Sequence, residues 1–284
     1  MKKALSTALI LGALYGTANA APITSPLYLP SAGQITSTTK LGYTTASFDK
    51  SPEGVSDKLE DGVYLDLDGK IGINNSLSIN YGFTIDFGKK LLDEKQSALY
   101  FSDYYFGMTS RIMDYGSQKF DFILNIGQEE SPIFPLNQFY GELELRYGID
   151  LDSYNLGIVV GGTYLGNNES GEGDSVIKLE RGYLVSFKLE NEFIFTPDFT
   201  VGFDLYLNLN DKIKYTNGSD DKIEFGTYEE YGFNLDANIA MSQNHYLGAY
   251  FNMFLSTLEG PKNAEAKLKD PIGYDFGLKY TSQF

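Results

Sequence analysis

The side chains that most enzymes use for catalysis are scarce in this sequence of 284 residues. It contains a single histidine, His245, and no cysteine. A disulfide framework, a cysteine nucleophile and a thiolate metal site are therefore excluded. The sequence also lacks a G-x-S-x-G motif, a P-loop and a G-x-G-x-x-G motif between a strand and a helix. We expect no catalytic residue, no metal and no cofactor.

Acidic residues cluster at three places, at Glu129-Glu130, at Asp220-Asp221 and between residues 169 and 174. Carboxylate oxygens at this density bind Ca²⁺ in some proteins. Acidic loops exposed to solvent have the same composition, and we favour that interpretation.

Many other charged residues alternate with apolar residues, most clearly in the segment LSINYGFTIDF at 77–87. Alternation with a period of two predicts β-strands with one apolar and one polar face. Three charged residues are out of step with this alternation in their predicted strands, namely Arg111, Arg181 and Glu229. We expect them at strand ends or at a bulge. The charged residues on the polar faces are Asp66, Asp68, Lys70, Asp86, Asp121, Glu142, Glu144, Arg146, Lys178, Glu180, Lys188, Glu190, Asp204, Glu224, Glu230, Asp236, Asp275 and Lys279.

The same alternation along the whole chain predicts twelve strands joined by connections of two kinds. Short turns are predicted at 74–76, 113–118, 150–153, 196–198 and 241–244. These turns alternate strictly with long polar loops, which predicts an up-and-down antiparallel barrel with all the short turns at one end. The predicted strands are 34–49, 63–73, 77–88, 97–112, 119–127, 138–149, 154–166, 175–195, 199–213, 223–240, 245–257 and 271–284.

The N-terminus has the features of a secretory signal peptide, residues 1–20. Lys2 and Lys3 precede an apolar stretch at 4–15, and Ala18-Asn19-Ala20 is a small-x-small cleavage site. The apolar stretch is shorter than the roughly 18 to 20 residues that a membrane-spanning helix needs. We therefore expect export of the protein and cleavage before Ala21.

The overall charge is strongly acidic, with 22 Lys and Arg against 38 Asp and Glu and a formal net charge of −16. A surface of this sign repels phosphates, so the composition argues against nucleic-acid binding. The chain also has 30 glycines against 9 prolines, which fits a β-rich protein.

The apolar strand faces could point into a soluble core or outward into lipid. A β-sandwich or a lipocalin buries the same kind of face in its interior. Strands of about ten residues or more match the ~9 to 11 of a tilted transmembrane strand better than the ~5 to 6 of globular sheets. Because twelve is an even number, the first strand begins and the last strand ends on the short-turn side of the barrel. These features favour a membrane barrel.

The last strand, residues 272–284, alternates through aromatic residues to a terminal phenylalanine. It resembles the terminal signal of bacterial outer-membrane β-barrel proteins, with Phe276, Tyr280 and Phe284 at the matching positions. The resemblance covers the mature chain as an architecture, and the motif is that of the porin-like superclass. It implies an outer-membrane location in a Gram-negative cell, contact with outer-membrane lipid, and assembly by the barrel-assembly machinery through these residues.

A membrane barrel is expected to turn its charges inward, since Lys or Arg facing lipid at the midplane costs about 2 to 4 kcal/mol. The predicted lumen is then mostly acidic, which favours a passive diffusion channel for small cationic or neutral solutes. Alternatively, ion pairs fill the lumen, and the protein is a closed structural or adhesive surface barrel that binds through its long loops. Residues 21–33 are expected either to lie in the periplasm or to enter the lumen as a plug, and residues 34–284 to form the barrel.

Overall fold

The computed structural model describes residues 22–50, 58–91, 94–95, 99–130, 137–170, 177–180, 182–217, 221–258 and 269–284. The predicted signal peptide, residues 1–20, lies outside the described residues. Arg181, Asp220 and most of the acidic stretch 169–174 lie outside them as well.

Twelve long strands form one closed antiparallel sheet. They are β1 Ile35–Lys50, β2 Lys58–Asn74, β3 Leu77–Leu91, β5 Tyr100–Asp114, β6 Gln118–Glu130, β7 Asn137–Leu151, β8 Tyr154–Leu165, β11 Gly182–Thr196, β12 Phe199–Asn210, β15 Tyr228–Ser242, β16 His245–Ser256 and β17 Lys269–Gln283. A two-residue strand, β4 Glu94–Lys95, extends the loop end of β3. Each long strand pairs with its neighbours in the chain, and β1 pairs with both β2 and β17 to close the ring. The predicted twelve-stranded up-and-down barrel is confirmed.

The short turns lie together at one end of the barrel, which we call the turn end. They span 75–76, 115–117, 152–153, 197–198 and 243–244. Gly116 has a φ of +71° in the second of them, a conformation that glycine adopts without strain. The two ends of the wall also meet here, where Ile35 and Phe284 exchange backbone hydrogen bonds of 3.0 and 2.9 Å. Long connections lie at the opposite end, the loop end.

The outer face of the barrel is apolar and the inner face is polar. Large apolar side chains such as Phe106 and Leu278 point outward and are 63% and 59% exposed. Ser78, Asn155 and Thr200 point inward and are fully buried. This distribution is the inverse of a soluble β-sandwich, whose apolar face is the buried one. No helix of the described residues is long and apolar enough to cross a membrane.

A separate four-stranded sheet rises from the loop end, and we call it the loop sheet. It contains β9 Asn168–Ser170, β10 Ile177–Leu179, β13 Ile213–Asn217 and β14 Asp221–Phe225, in the order β14-β13-β10-β9. It is built from the two connections that join β8 to β11 and β12 to β15. Exposed ion pairs cross it, with Lys178 Nζ 2.8 Å from Glu169 and Lys212 Nζ 2.8 Å from Glu224. The Glu224 carboxylate raises the pKa of Lys212 through this hydrogen bond.

The loop sheet corrects the placement of three residues that the sequence pattern assigned to the lumen. Lys178 and Glu180 lie at β10, and Glu224 lies in β14, so none of them is on the barrel wall. The predicted strands at 175–195 and 223–240 each merged a loop strand with the barrel strand that follows it. A period of two continues through both, and it does not specify which sheet a strand joins.

Candidate functional site

The lumen is the part of the molecule where charged side chains converge. Register and burial place the other residues of the predicted set on the inner faces of the barrel strands. They are Asp66, Asp68, Lys70, Asp86, Asp121, Glu142, Glu144, Arg146, Lys188, Glu190, Asp204, Glu230, Asp236, Asp275 and Lys279. Their positions along the strands divide them into a network near the turn end and the middle, and an acidic group toward the loop end.

Ion pairs connect the walls of the lower lumen. Glu190 is almost completely buried and forms ion pairs with Arg146, whose Nε lies at 3.0 Å, and with Lys188, whose Nζ lies at 3.1 Å. Lys188 also lies 3.1 Å from Asp204. These four side chains come from three different strands, so the network joins β7, β11 and β12 across the inner face.

Two further pairs lie at the same depth of the barrel. Lys40 Nζ lies 2.8 Å from Asp66 and 3.3 Å from Asp68 on the adjacent strand. Lys279 Nζ lies 2.6 Å from Asp236, two strands away. Lys40 is absent from the predicted lumenal set. It alternates in step with Thr36 and Thr38 on the polar face of β1, and this signal could have included it.

Arg111 is a lumenal residue that the parity analysis did not place inside. It forms a two-point contact with Asp121, with Nε 2.8 Å from Oδ1 and Nη2 3.1 Å from Oδ2. Both side chains are buried, at 8% and 2% exposure. Arg111 has the same odd parity as Tyr105 and Thr109, which also face the lumen, and a bulge between Arg111 and Met113 follows directly after it.

Residues 22–33 cross the lumen at its turn end, and we call them the N-terminal segment. Arg111 Nη2 donates to the Leu27 carbonyl at 2.7 Å, and Arg146 Nη1 donates to the Pro26 carbonyl at 3.1 Å. The wall also holds the side chains of the segment. Asn155 donates to Ser25 Oγ at 3.0 Å.

Close contacts also fix the same segment against glycines of the wall. Leu27 is 1% exposed, and a Cβ placed on Gly148 would overlap its side chain. The backbone carbonyl groups of Pro30 and Ser31 lie over Gly72, where a Cβ would overlap them. Tyr28 accepts a hydrogen bond of 2.6 Å from Gln283, and burial raises the pKa of its phenol. Gly33, with a φ of +80°, then leads the chain out of the lumen into β1.

A polar cavity of about 320 Å³ lies between the N-terminal segment and the wall. Ile23, Thr24, Ser25 and Tyr28 form one side of it. The other sides are lined mainly by hydroxyl, amide and charged side chains of the strands. This cavity is the lower of two compartments in the lumen.

The upper compartment is a cavity of about 310 Å³ toward the loop end. Its charged lining residues are Glu60, Asp86, Asp103, Glu129 and Asp275, and no lysine or arginine of the described chain lines it. Three of these residues, Glu60, Asp103 and Glu129, are absent from the predicted lumenal set. Asp103 lies beside a register shift at Thr84/Ile85, and Glu60 and Glu129 lie on strands that run further than predicted.

Tyrosines narrow the lumen between the two compartments. Tyr64 Oη lies 2.6 Å from Tyr250 Oη and donates to Asp275 Oδ1 at 2.6 Å. The rings pack over Gly42, where a Cβ would meet both of them. Glycine is required here because the two tyrosine side chains occupy the space above the strand.

His245 lies on the outer face at the turn end. Its Nδ1 is 2.6 Å from Tyr280 Oη, and its ring meets the edge of Phe284 at 6.3 Å. Phe276, Tyr280 and Phe284 are all exposed on the same outer face. An aromatic cluster of this kind is typical of the membrane interface.

No protein-family model matches the sequence, and no curated protein matches it. The structure of the COG4313 outer membrane channel from Pseudomonas putida F1 is similar over 94% of this chain and 100% of its own, with a TM-score of 0.60 and 14% identity. The toluene transporter TodX of Pseudomonas putida has a TM-score of 0.48 at 11% identity over 95% of both chains. The NanC porin has a TM-score of 0.47 at 11% identity and covers 86% of this chain and 98% of its own. The first of these comparisons shows that the chain has the fold of an outer-membrane channel barrel.

Proposed function

We propose that this protein is a passive diffusion channel of the Gram-negative outer membrane, with a preference for small cationic or neutral solutes. The proposal includes assembly through Phe276, Tyr280 and Phe284 by the barrel-assembly machinery, and contact of the apolar outer face with lipid. It also assigns the N-terminal segment the role of a plug that narrows the turn end.

The observation that carries the proposal is the uneven distribution of charge along the lumen. Acidic side chains line the upper compartment without a lysine or arginine among the described residues, whereas the lower lumen contains ion pairs. A wall of one charge sign in a confined space raises the local concentration of the opposite ion. Cations therefore reach the upper compartment more readily than anions.

The test is conductance of the refolded protein in a planar bilayer under a potassium chloride gradient. We expect steady conductance and a reversal potential of the sign that cation preference requires. Neutralising the upper compartment with Asp103→Asn, Glu129→Gln and Asp275→Asn should move the reversal potential toward zero. Absence of conductance from inserted protein that still shows heat-modifiable mobility would reject the channel function.

A matched control neutralises the same number of carboxylates in the loop sheet, at Glu169, Glu180 and Glu224. These residues lie away from the barrel wall. The control should leave most of the cation preference intact. A loss equal to that of the upper-compartment variant would place selectivity in the loops instead.

The second candidate is a closed surface barrel that binds other molecules through its loop sheet. The filling of the turn end by the N-terminal segment favours it, because Leu27 and Ser25 are buried there and wall residues hold them. This function predicts no conductance, and it predicts that removal of the loop sheet abolishes surface binding. The bilayer measurement separates the two candidates.

A further inference from the structure

The lower cavity contains an unusual pair of charges. Its volume of about 320 Å³ is at the lower end of the range for small-molecule sites, which is about 300 to 1,000 Å³. Ten of its lining residues carry hydroxyl or side-chain amide groups. Its charged lining residues are Lys40, Asp68, Lys70, Glu144, Arg146 and Lys279.

Four of these six charged groups already have partners of opposite sign. Lys40 and Asp68 lie 3.3 Å apart, and Asp68 also accepts a hydrogen bond of 2.8 Å from Tyr105. Arg146 pairs with Glu190 at 3.0 Å, and Lys279 pairs with Asp236 at 2.6 Å. None of these four therefore needs a ligand to balance its charge.

Lys70 and Glu144 differ from the other four. Neither makes a hydrogen bond or an ion pair within 4 Å with another described residue. The opposite charges that act on them, Asp121 and Glu190 on Lys70 and Arg146 and Lys188 on Glu144, do so at longer range. They lie on β2 and β7, four strands apart around the wall, and both line the cavity. A charge removed from bulk water without a partner is costly, and a ligand group of opposite sign offsets that cost. One cation and one anion thus face a common space.

We infer that this cavity binds small zwitterionic solutes of the amino-acid and short-peptide class. The solute carboxylate pairs with Lys70, and the solute ammonium group pairs with Glu144. The hydroxyl and amide groups of the lining, such as Asn80 and Asn125, hydrogen-bond to the polar atoms between the two charges. As a statement about conducted solutes the inference rests on the proposed function, whereas binding in the cavity does not.

The test measures binding on the full mature chain in detergent, by saturation-transfer NMR. The probe is alanyl-alanine, compared with N-acetyl-alanine, which keeps only the carboxylate, and alanine amide, which keeps only the ammonium group. We expect the zwitterion to bind at least about tenfold more tightly than either analogue, since each charged hydrogen bond contributes that order of affinity. Equal binding of all three probes would overturn the inference.

Single substitutions test which charged group of the cavity pairs with which charged group of the solute. Lys70→Gln should abolish the preference of alanyl-alanine over alanine amide, and Glu144→Gln should abolish its preference over N-acetyl-alanine. Lys178→Gln and Glu169→Gln remove an exposed pair of the same types in the loop sheet and should change neither preference. If a Gln variant fails to fold, Lys70→Arg and Glu144→Asp keep the charge and should keep the preference. Retention of both preferences in folded Gln variants would reject the site.

Conductance measured on the same protein separates the two proposals. Zwitterion binding without conductance would reject the channel function and support the binding site. Conductance without zwitterion binding would support the channel function and reject amino acids and short peptides as ligands of the cavity.

Discussion

Arg111 donates a hydrogen bond of 2.7 Å from Nη2 to the backbone carbonyl of Leu27, and so connects the barrel wall to the segment inside it. The same guanidinium is held by Asp121 on the neighbouring strand. Arginine suits this position because its planar group presents several donors in fixed directions. The position of the N-terminal segment therefore depends on a buried ion pair of the wall.

Asp121→Asn should destabilise the barrel by about 3 to 5 kcal/mol, because it leaves the Arg111 charge buried without a full partner. The measurement is denaturant unfolding of the folded protein in lipid vesicles, followed by circular dichroism. Glu169→Gln breaks an ion pair in which both side chains are about half exposed, and should cost no more than about 1 kcal/mol. Equal effects of the two substitutions would contradict a structural role of the buried pair.

Leu27→Ala should raise conductance by releasing the N-terminal segment. The side chain is almost completely buried, and loss of a buried leucine side chain costs about 2 to 5 kcal/mol. Here that cost falls on docking of the segment, so a larger fraction of molecules should have an open turn end. Leu41→Ala changes a leucine that is 54% exposed on the outer face, and single-channel recordings should show no change for it.

Gly148→Ala should have the same effect as Leu27→Ala without altering the segment itself. The added methyl group would occupy the position of the Leu27 side chain. Gly141→Ala lies on the same strand, and a Cβ there meets no described atom within 4 Å. Single-channel recordings should show increased conductance only for the first variant. Unchanged conductance in Gly148→Ala would argue that the segment does not limit the pore.

The barrel could be predicted from sequence because the alternation that specifies each strand is a pattern of neighbouring residues. A strand with lipid on one side and a polar lumen on the other must alternate, and segment 77–87 does so without interruption. The short turns, such as 75–76, then fix the neighbour of each strand and the end at which it turns. Strand order followed from these two observations alone.

The lumen was predicted less completely because its details depend on contacts between distant parts of the chain. Asp103 and Arg111 lie next to register shifts at the two ends of the regular part of β5, and a bulge is specified by the partner strand as well as by its own residues. Lys178 and Glu224 continued a correct alternation into a different sheet. The contacts of Leu27 with Gly148 have no local signal, since the two residues are far apart in sequence.

Two features of Phe284 make separable predictions. Its backbone closes the ring through two hydrogen bonds with Ile35, and its side chain, 71% exposed, packs against His245 on the outer face. Phe284→Ala keeps the backbone bonds, so purified protein should still fold in detergent to a heat-modifiable barrel. The same variant should accumulate less folded barrel in cells, because the aromatic side chain that we propose for recognition is missing.

Deletion of Phe284 removes both features and should lower the folded fraction in detergent as well as in cells. Each net hydrogen bond contributes about 0.5 to 1.5 kcal/mol, so the loss of two should weaken closure measurably. Heat-modifiable mobility on gels measures the folded fraction in both settings. Equal folding of Phe284→Ala and the unmodified chain in cells would show that the aromatic ring of Phe284 is not needed for assembly.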